Sequence, residues 1–364
     1  MLGKMLLLLA VLIHSVLPSV TPERSRTSRL SRGASGEQFK KLVVSKELIE
    51  NSKKSLAGRQ RIAVCAANDP DCQAISVMFN AALPYAQNFL LADAATVATF
   101  IKVEEIVANV AVSQVSQWAK QLSVDWLVVC RTRESGERIV ELFKCQDQTC
   151  SLEETIAAAT SSMDEMQKTC EAISKYLKAD FGPHAAKLPW IPVHSKEALI
   201  EIAKGYQLIL GSVGVEDETQ RQAIAREGLR LSESALKKDP ACIQAILLQA
   251  SCHDILGQAD ALKETLKKGF MVRKPDNPDR LAMLEFEGDY ARYIQNNREG
   301  AAAKYMEMLE IDPNHLRAHW SLIETALDEP VVAVDAETLK FVAEHAAAIV
   351  AAHPGSPVAT ILEK

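Results

Sequence analysis

The chain has 364 residues, of which 48% are hydrophobic and 24% are charged, a composition typical of a globular protein long enough for two domains. The formal net charge of −6 excludes an overall basic surface, so nucleic acid is not expected as a partner. Aromatic residues make up only 5%, and alanine-rich stretches such as Glu344–His353 favour helices.

The N-terminal segment carries a targeting pattern. Lys4 precedes an apolar run over residues 5–17, which is short for a membrane span of about 30 Å and typical of a secretory signal. We expect residues 1–20 to be a cleaved signal or a short uncleaved anchor, and residues 21–38 to be a flexible tether. Several arginines and a single acid within the first 36 residues leave a mitochondrial presequence as a third interpretation, although the apolar run is not amphipathic. The predicted location is periplasmic or secreted, with membrane contact only through an uncleaved N-terminal anchor.

Residues 39–180 show alternating strand and helix patterns. A helix at 39–56 ends at a glycine, and the apolar run Arg61–Ala67 before an Asn-Asp-Pro-Asp turn predicts a buried strand. The clearest hairpin lies at 125–146, around a polar turn at 134–137. The other predicted elements are a helix at 72–86, a strand with its exit loop at 88–96, and helices at 97–107, 113–122 and 161–178. This order predicts a small α/β domain of two or three layers, followed by a proline-rich linker at 181–194.

The C-terminal region, 195–364, contains four prolines at intervals of 35, 38 and 41 residues: Pro240, Pro275, Pro313 and Pro354. Three of them close helical segments of similar composition, which predicts about four stacked helical hairpins. Gly205 and Gly288 stand where small residues let paired helices approach, and Gly257 stands at a predicted turn. The first unit carries an insertion around 211–219.

The segment Gln117–Ala159 resembles the strand hairpin of TolB-like N-terminal domains, in which a helix ends at a Val-Asp or Ala-Asp step before a strand. Here that step is Val124 and Asp125. The upstream Arg61–Asp71 stands where that family has its first strand and loop. In bacterial proteins of this type, including periplasmic portions of CadC-like sensors, tetratricopeptide repeats follow the domain. The resemblance implies a small α/β domain plus an all-α tetratricopeptide-like helical solenoid. Without a winged-helix domain ahead of the apolar run, it does not imply transcriptional regulation.

Eight cysteines allow two short-range disulfides. Cys145 and Cys150 are separated by four residues, and Cys65 and Cys72 flank a turn, so either pair could close a short loop. The pair at 242 and 252 would be about 15 Å apart on one helix and could not bond. We expect one or two disulfides at most, with Cys145–Cys150 first. The alternative for four other cysteines is that they are small buried apolar side chains: Cys130, Cys170, Cys242 and Cys252.

No catalytic or cofactor motif stands out. His315 and His319 have the i, i+4 spacing of two metal ligands, but neither belongs to an HExxH motif. The chain also lacks a GxSxG, P-loop or GxGxxG pattern between a strand and a helix. We therefore predict a protein that is not an enzyme and that has no metal and no cofactor.

The predicted function is that of an interaction scaffold or assembly factor of the bacterial cell envelope. A partner protein would lie along the concave face formed by the first helix of each repeat. Packing or solvated positions are the alternative interpretation of the residues chosen for this face: Tyr206, Gln249, His253, Arg292 and His319. The alternative function is a sensory or regulatory module whose α/β domain binds a small ligand or a partner.

Overall fold

The computed structural model describes residues 44–147, 149–183, 195–211, 217–273, 279–327 and 336–356, together with residues 359 and 362. The predicted signal segment and tether lie outside these residues, as do most of the linker and the centre of the insertion in the first unit. No helix within the described ranges is long and apolar enough to cross a membrane.

The α/β domain is built from one five-stranded sheet and short helices. Two 3₁₀ turns, Leu83–Tyr85 and Val103–Glu105, complete it. Its elements in chain order are α1 (Lys46–Ser55), β1 (Gln60–Ala66), α2 (Pro70–Ala82), β2 (Phe89–Leu91), α3 (Ala94–Phe100), α4 (Val112–Leu122), β3 (Trp126–Thr132), β4 (Arg138–Gln146), β5 (Thr149–Ala157) and α5 (Met163–Leu177).

The strand order is β2-β1-β3-β4-β5. β1 is parallel to both β2 and β3, whereas β3, β4 and β5 form an antiparallel meander. The chain leaves β1 through α2 on one face of the sheet and returns from β2 to β3 through α3 and α4 on the other. The connection therefore reverses direction between β1 and β3, as in doubly wound sheets.

Alternation along the central strands explains the layers, because successive side chains point to opposite faces. Ile62, Val64 and Val128 pack with α2 and α5. Ala63, Leu127 and Val129 pack with α3 and α4. Helices cover both faces of the sheet, so the sequences of β1 and β3 are continuous apolar runs and do not alternate between apolar and polar residues.

The predicted hairpin is present as β3 and β4, and Gly136 in its turn has a φ of +84° that favours glycine. The third antiparallel strand, β5, was not predicted. It is an edge strand, and most of its side chains are exposed or half-buried, so it lacks the apolar periodicity of a strand with one buried face. α3 also begins at Ala94, where the sequence predicted an exit loop.

The second half of the chain is entirely helical in its described residues, and the prediction of an α/β domain followed by a helical region is confirmed. Successive helices pack on each other, and two contacts also join helices that are two apart in the chain, α6 with α8 and α8 with α10. The helices are α6 (Lys196–Gly211), α7 (Glu218–Lys238), α8 (Ile243–Ile255), α9 (Ala259–Val272), α10 (Arg280–Tyr293), α11 (Arg298–Ile311), α12 (Leu316–Leu327) and α13 (Ala336–Ala352).

Glycines mark the closest approaches of these helices. A Cβ atom at Gly205 in α6 would lie 2.4 Å from the side chain of Leu248 in α8. A Cβ at Gly288 in α10 would lie 2.5 Å from the ring of Tyr305 in α11, a fully buried side chain. These contacts let the helices pack more closely than any larger residue would allow.

Gly288→Ala is expected to destabilise the protein by about 1–3 kcal/mol, because the added methyl group has to displace a buried ring. Helix propensity alone predicts the opposite sign, a gain of about 1 kcal/mol. Urea unfolding decides between them, and a variant as stable as the wild type would contradict the close approach seen here.

The helical region and the α/β domain share one core. α6 packs on α2 and α3, and a single buried cluster runs from the sheet into the helical region. α1, which the predicted boundary placed with the α/β domain, packs on α13. Ile49 of α1 and Val44 just before it pack against the apolar cluster of α12 and α13. Arg61 at the start of β1 donates from Nη1 to the carbonyl of Ala352, 2.5 Å away. The two parts are therefore not separated by an open linker in the described residues.

Candidate functional site

A cluster of charged side chains lies where α10 meets α12. Arg317 Nε is 3.1 Å from Glu285 Oε1, and Arg317 Nη2 is 3.6 Å from Asp289 Oδ2. Arg292 Nη1 is 2.9 Å from Glu324 Oε2. We call these five residues the charged cluster: Glu285, Asp289, Arg292, Arg317 and Glu324. Its three carboxylates and two guanidinium groups are mostly buried, and charged side chains are seldom buried to this extent unless they are paired.

The charged cluster is recessed but not sealed. The side chain of Glu285 is 24% exposed and that of Arg317 is 17% exposed, whereas Asp289 is 4% exposed. Burial raises the pKa of Glu285 to about 7, although Arg317 opposes the shift. Burial would lower the pKa of Arg317, but Asp289 and Glu285 outweigh that effect and raise it above its usual range. The ion pair with Arg317 therefore offsets part of the cost of burying the Glu285 carboxylate.

The start of α10 connects the charged cluster to the α/β domain. Asp279 caps α10 by accepting from the amide of Ala282 at 3.0 Å, and it also accepts from the side-chain amide of Gln244. Burial raises the pKa of Asp279 to about 6. The hydroxyl of Tyr85, just after α2, accepts from the amide of Leu281 at 3.1 Å. The first turn of α10 is thus anchored from both sides.

The five residues predicted to bind a partner do not come together. Only Arg292 belongs to the charged cluster. Gln249 accepts from Thr265 of α9 at 3.5 Å, and His253 pairs with Gln258 at the turn before α9. Tyr206 donates to the carbonyl of Gln244 at 3.2 Å, and the remaining predicted residue, His319, pairs with His345. Gln249 and His253 thus make their hydrogen bonds on the side of α9, whereas the charged cluster lies where α10 meets α12.

Four histidines gather where α12 and α13 meet the start of the sheet. His319 Nε2 donates to the carbonyl of Pro313 at 3.0 Å, so its Nδ1 accepts from His345 Nδ1, 2.7 Å away. His353 Nε2 donates to the carbonyl of Asn314 at 2.8 Å, while its buried Nδ1 has no hydrogen-bond partner among the described residues. The fourth member is His315. No group of three or more His, Cys, Asp or Glu side chains in the described ranges could hold a metal ion.

Asp69 and Asp71 form the joint between β1, α2 and the helical region. Asp69 caps α2 through the amides of Asp71 and Cys72, and it receives Arg138 Nε at 3.0 Å. Asp71 receives Lys196 of α6 at 2.9 Å. Burial would raise the pKa of Asp69, but the hydrogen bonds and charge of Arg138 lower it overall. This network caps α2 and ties α6 to α2.

Asp69→Ala is expected to destabilise the protein by about 2 kcal/mol, because the change removes both a helix cap and the partner of Arg138. Asp217→Ala is the matched control, since Asp217 caps α7 without a basic partner among its hydrogen bonds and should cost about 1 kcal/mol. Urea unfolding of both variants measures the difference. Equal losses would show that the Asp69–Arg138 contact contributes no stability.

A partly open cavity of about 120 Å³ is lined by residues of β1, α2, α3 and α6. Its apolar wall includes Val64, Val97 and Ala203. The polar side chains that line it are Gln73, Ser76 and Asn80 of α2 with Tyr206 and Gln207 of α6. We call it the edge cavity. Cys65 also lines it, but burial raises the pKa of that thiol to about 12, so it is not a nucleophile.

Cys145 and Cys150 face each other across β4 and β5, with Cα atoms 4.1 Å apart and sulfur atoms at bonding distance. The amide of Cys145 donates to Asp125 and that of Cys150 to Ser116, so the pair occupies a non-hydrogen-bonded position of the ladder. Cys65 and Cys72, the other candidate pair, are buried free thiols.

The sequence of α10 contains a partial signal for the charged cluster, which the choice of candidate residues missed. Glu285, Asp289 and Arg292 are spaced i, i+4 and i+7, which places them on one face of α10. A charged helix face is usually exposed to solvent. The residues that pair with this one, Arg317 and Glu324, are about 30 residues away in the sequence. Only the packing of α12 on α10 shows that the face is covered.

Comparison with known proteins adds no family assignment. No protein-family model matches the chain, and no curated protein is significantly similar to it in sequence. The likeness to TolB-like domains and tetratricopeptide repeats therefore stays a prediction.

Proposed function

We propose that the protein is a non-enzymatic interaction scaffold of the bacterial cell envelope, periplasmic or secreted, whose helical region is a solenoid of tetratricopeptide-like hairpins. The pairs would be α6 with α7, α8 with α9, α10 with α11 and α12 with α13. Glycine contacts within and between pairs, at Gly288 and Gly205, support this interpretation. So do the contacts of α6 with α8 and of α8 with α10, because first helices line the inner side of such solenoids.

The observation that carries the proposal is the charged cluster. It joins α10 to α12, which are the first helices of two neighbouring pairs. α10 contacts α11, the second helix of its own pair, at Gly288. A rigid inner face with recessed charges is a surface that an extended or helical protein segment could recognise. We infer that the partner binds the carboxylates through a basic side chain, because the charged cluster combines three carboxylates with two guanidinium groups and is negative as a whole.

Affinity capture of the full-length protein from its native envelope tests this function. Glu285→Gln removes the charge but keeps the shape, and it should reduce retention of the partner at least about tenfold, since charge-assisted hydrogen bonds are worth about 1.5–3 kcal/mol. Glu264→Gln on α9, where the side chain is 58% exposed, is the control and should leave retention unchanged. Equal retention by both variants would contradict recognition through the charged cluster.

The full chain is needed for this experiment, because the helical region shares its core with the α/β domain. Removing residues 195–364 would expose Ile75, Met78 and other side chains that α6 helps to cover, so loss of a partner on truncation would not locate the binding surface.

The alternative function, in which the α/β domain binds a small ligand and the helices respond, is favoured by one observation. The edge cavity lies between the two parts of the chain, with one wall from α2 and another from α6. A ligand held there would contact both parts.

A further inference from the structure

We propose that the edge cavity is a binding site for a small uncharged molecule that carries an amide group. This inference rests on the alternative, ligand-binding function and is independent of partner recognition by the charged cluster.

The cavity exists because β2 is short. β2 pairs with β1 only from Gln60 to Ile62, and the last bond between them runs from the amide of Ala92 to the carbonyl of Ile62. Every second residue of a strand in a parallel sheet points its main-chain groups to the same side. The N–H and C=O of Val64 and Ala66 therefore point past the end of β2, where no described residue hydrogen-bonds to them.

An amide group matches this open strand edge. A neighbouring parallel strand would offer one N–H to the carbonyl of Val64 and one C=O to the amide of Ala66. A small amide carries the same donor and acceptor close together. A peptide strand would supply them too, but a cavity of about 120 Å³ has room only for a small molecule.

The side chains around the edge add unused hydrogen-bonding capacity. Gln73 is only 7% exposed, and its one hydrogen bond to a described residue is a long contact of 3.5 Å from Nε2 to Asn68. Its Oε1 accepts from no described residue. Gln207, on the facing wall, makes no hydrogen bond to the described part of the chain. These side-chain amides can therefore hydrogen-bond to a bound molecule or to water.

The lining of the edge cavity favours an uncharged ligand. Its only ionisable side chains among the described residues are Cys65, which is protonated, and Tyr206, which is neutral. The described lining contains no Asp, Glu, Lys, Arg or His, so a carboxylate or an ammonium would be desolvated without a counter-charge. The volume corresponds to about four water molecules, or to a ligand of about six to eight non-hydrogen atoms.

Ligand-detected saturation-transfer NMR on the purified full-length chain, with propanamide and lactamide as probes, tests the site. Both should bind saturably, whereas the matched propanoate and propylammonium ions should bind at least about tenfold more weakly. Gln73→Leu and Ala203→Leu, which remove a polar group and fill the cavity respectively, should each weaken binding about tenfold or more. Gln121→Leu, at an exposed position of α4, is the control and should have no effect.

Hydrogen exchange at the amides of Val64 and Ala66 shows where the probe binds. It is measured on the wild-type protein, so the result does not depend on whether a variant folds. Added propanamide should slow exchange at Ala66, the amide that faces the cavity. The proposal is wrong if neither amide probe saturates, if the charged probes bind equally well, or if binding leaves this exchange unchanged; the cavity then holds water only. None of these results affects the capture experiment with Glu285→Gln. The ligand-binding function and the scaffold function can therefore be contradicted independently of each other.

Discussion

Arg317→Met is expected to lower the free energy of unfolding by about 3 kcal/mol. Arg317 contacts Glu285 and Asp289, which lie one turn apart on α10 and would be left as a recessed pair of like charges. A methionine covers the same apolar stem but supplies no charge. The loss should be partly restored in the double variant Arg317→Met with Glu285→Gln, because the uncompensated charge is then removed as well.

Arg230→Met is the matched control for this prediction. Arg230 pairs with Glu227 on α7, but its side chain is 62% exposed, and surface pairs of this kind contribute about 0–1 kcal/mol. Urea unfolding of both single variants and of the double variant gives the comparison. If Arg317→Met costs no more than Arg230→Met, the charged cluster does not stabilise the contact of α10 with α12.

Acid is expected to destabilise the protein through the histidines at α12 and α13. Burial lowers the pKa of His315 to about 4, of His319 to about 3 and of His345 to about 4. Burial also lowers the pKa of His353. The unfolded chain binds these protons near pH 6.5. The stability is therefore fully present above pH 6.5 and is lost as the pH falls towards 4. Each histidine that titrates costs about 2 kcal/mol between pH 6.5 and 5.

Carboxylates near the histidines act in the opposite direction. Burial raises the pKa of Asp312 to about 6, so its folded form gains protons, and stability, as the pH falls through 6. The other charged groups that face the histidines are Arg317 for His315, Asp93 and Arg61 for His353, and Arg59 for Asp312. A variant that removes one histidine separates the two effects.

His353→Gln is that variant, because a glutamine amide can still donate to the carbonyl of Asn314. Stability measured by urea unfolding at pH 7 and pH 5 should fall less in this variant than in the wild type. His253→Gln, on α8 and outside the histidine group, should keep the full pH dependence. The mechanism is wrong if both variants respond to pH as the wild type does.

Local patterns predicted the elements whose determinants are local. The hairpin of β3 and β4 follows from two apolar strands around a glycine turn, and β1 follows from its buried run. β5 could not be recognised in the same way, since an edge strand beside a two-residue turn has little apolar contrast. Its pairing with β4 becomes clear only when the sheet is assembled.

The candidate sites depend on contacts that are distant in sequence. Choosing polar residues on first helices found Arg292 but also Gln249, whose hydrogen bond goes to α9. Helical spacing alone does not show which face of α8 or α10 a neighbour covers. The edge cavity is harder still, because it depends on β2 ending early and on α6 closing over β1. Neither event has a local sequence signal.

Photo-cross-linking from the inner side of the helical region tests the proposed scaffold most directly. Tyr293 lies beside Arg292, whose guanidinium is 5.0 Å from its ring, and p-benzoylphenylalanine is a close replacement. Met306 on α11, 45% exposed, is the outer control position. We expect one envelope protein to be cross-linked in cells from position 293 and not from position 306. Cross-links from 306 alone, or from neither position, would contradict partner binding at the charged cluster.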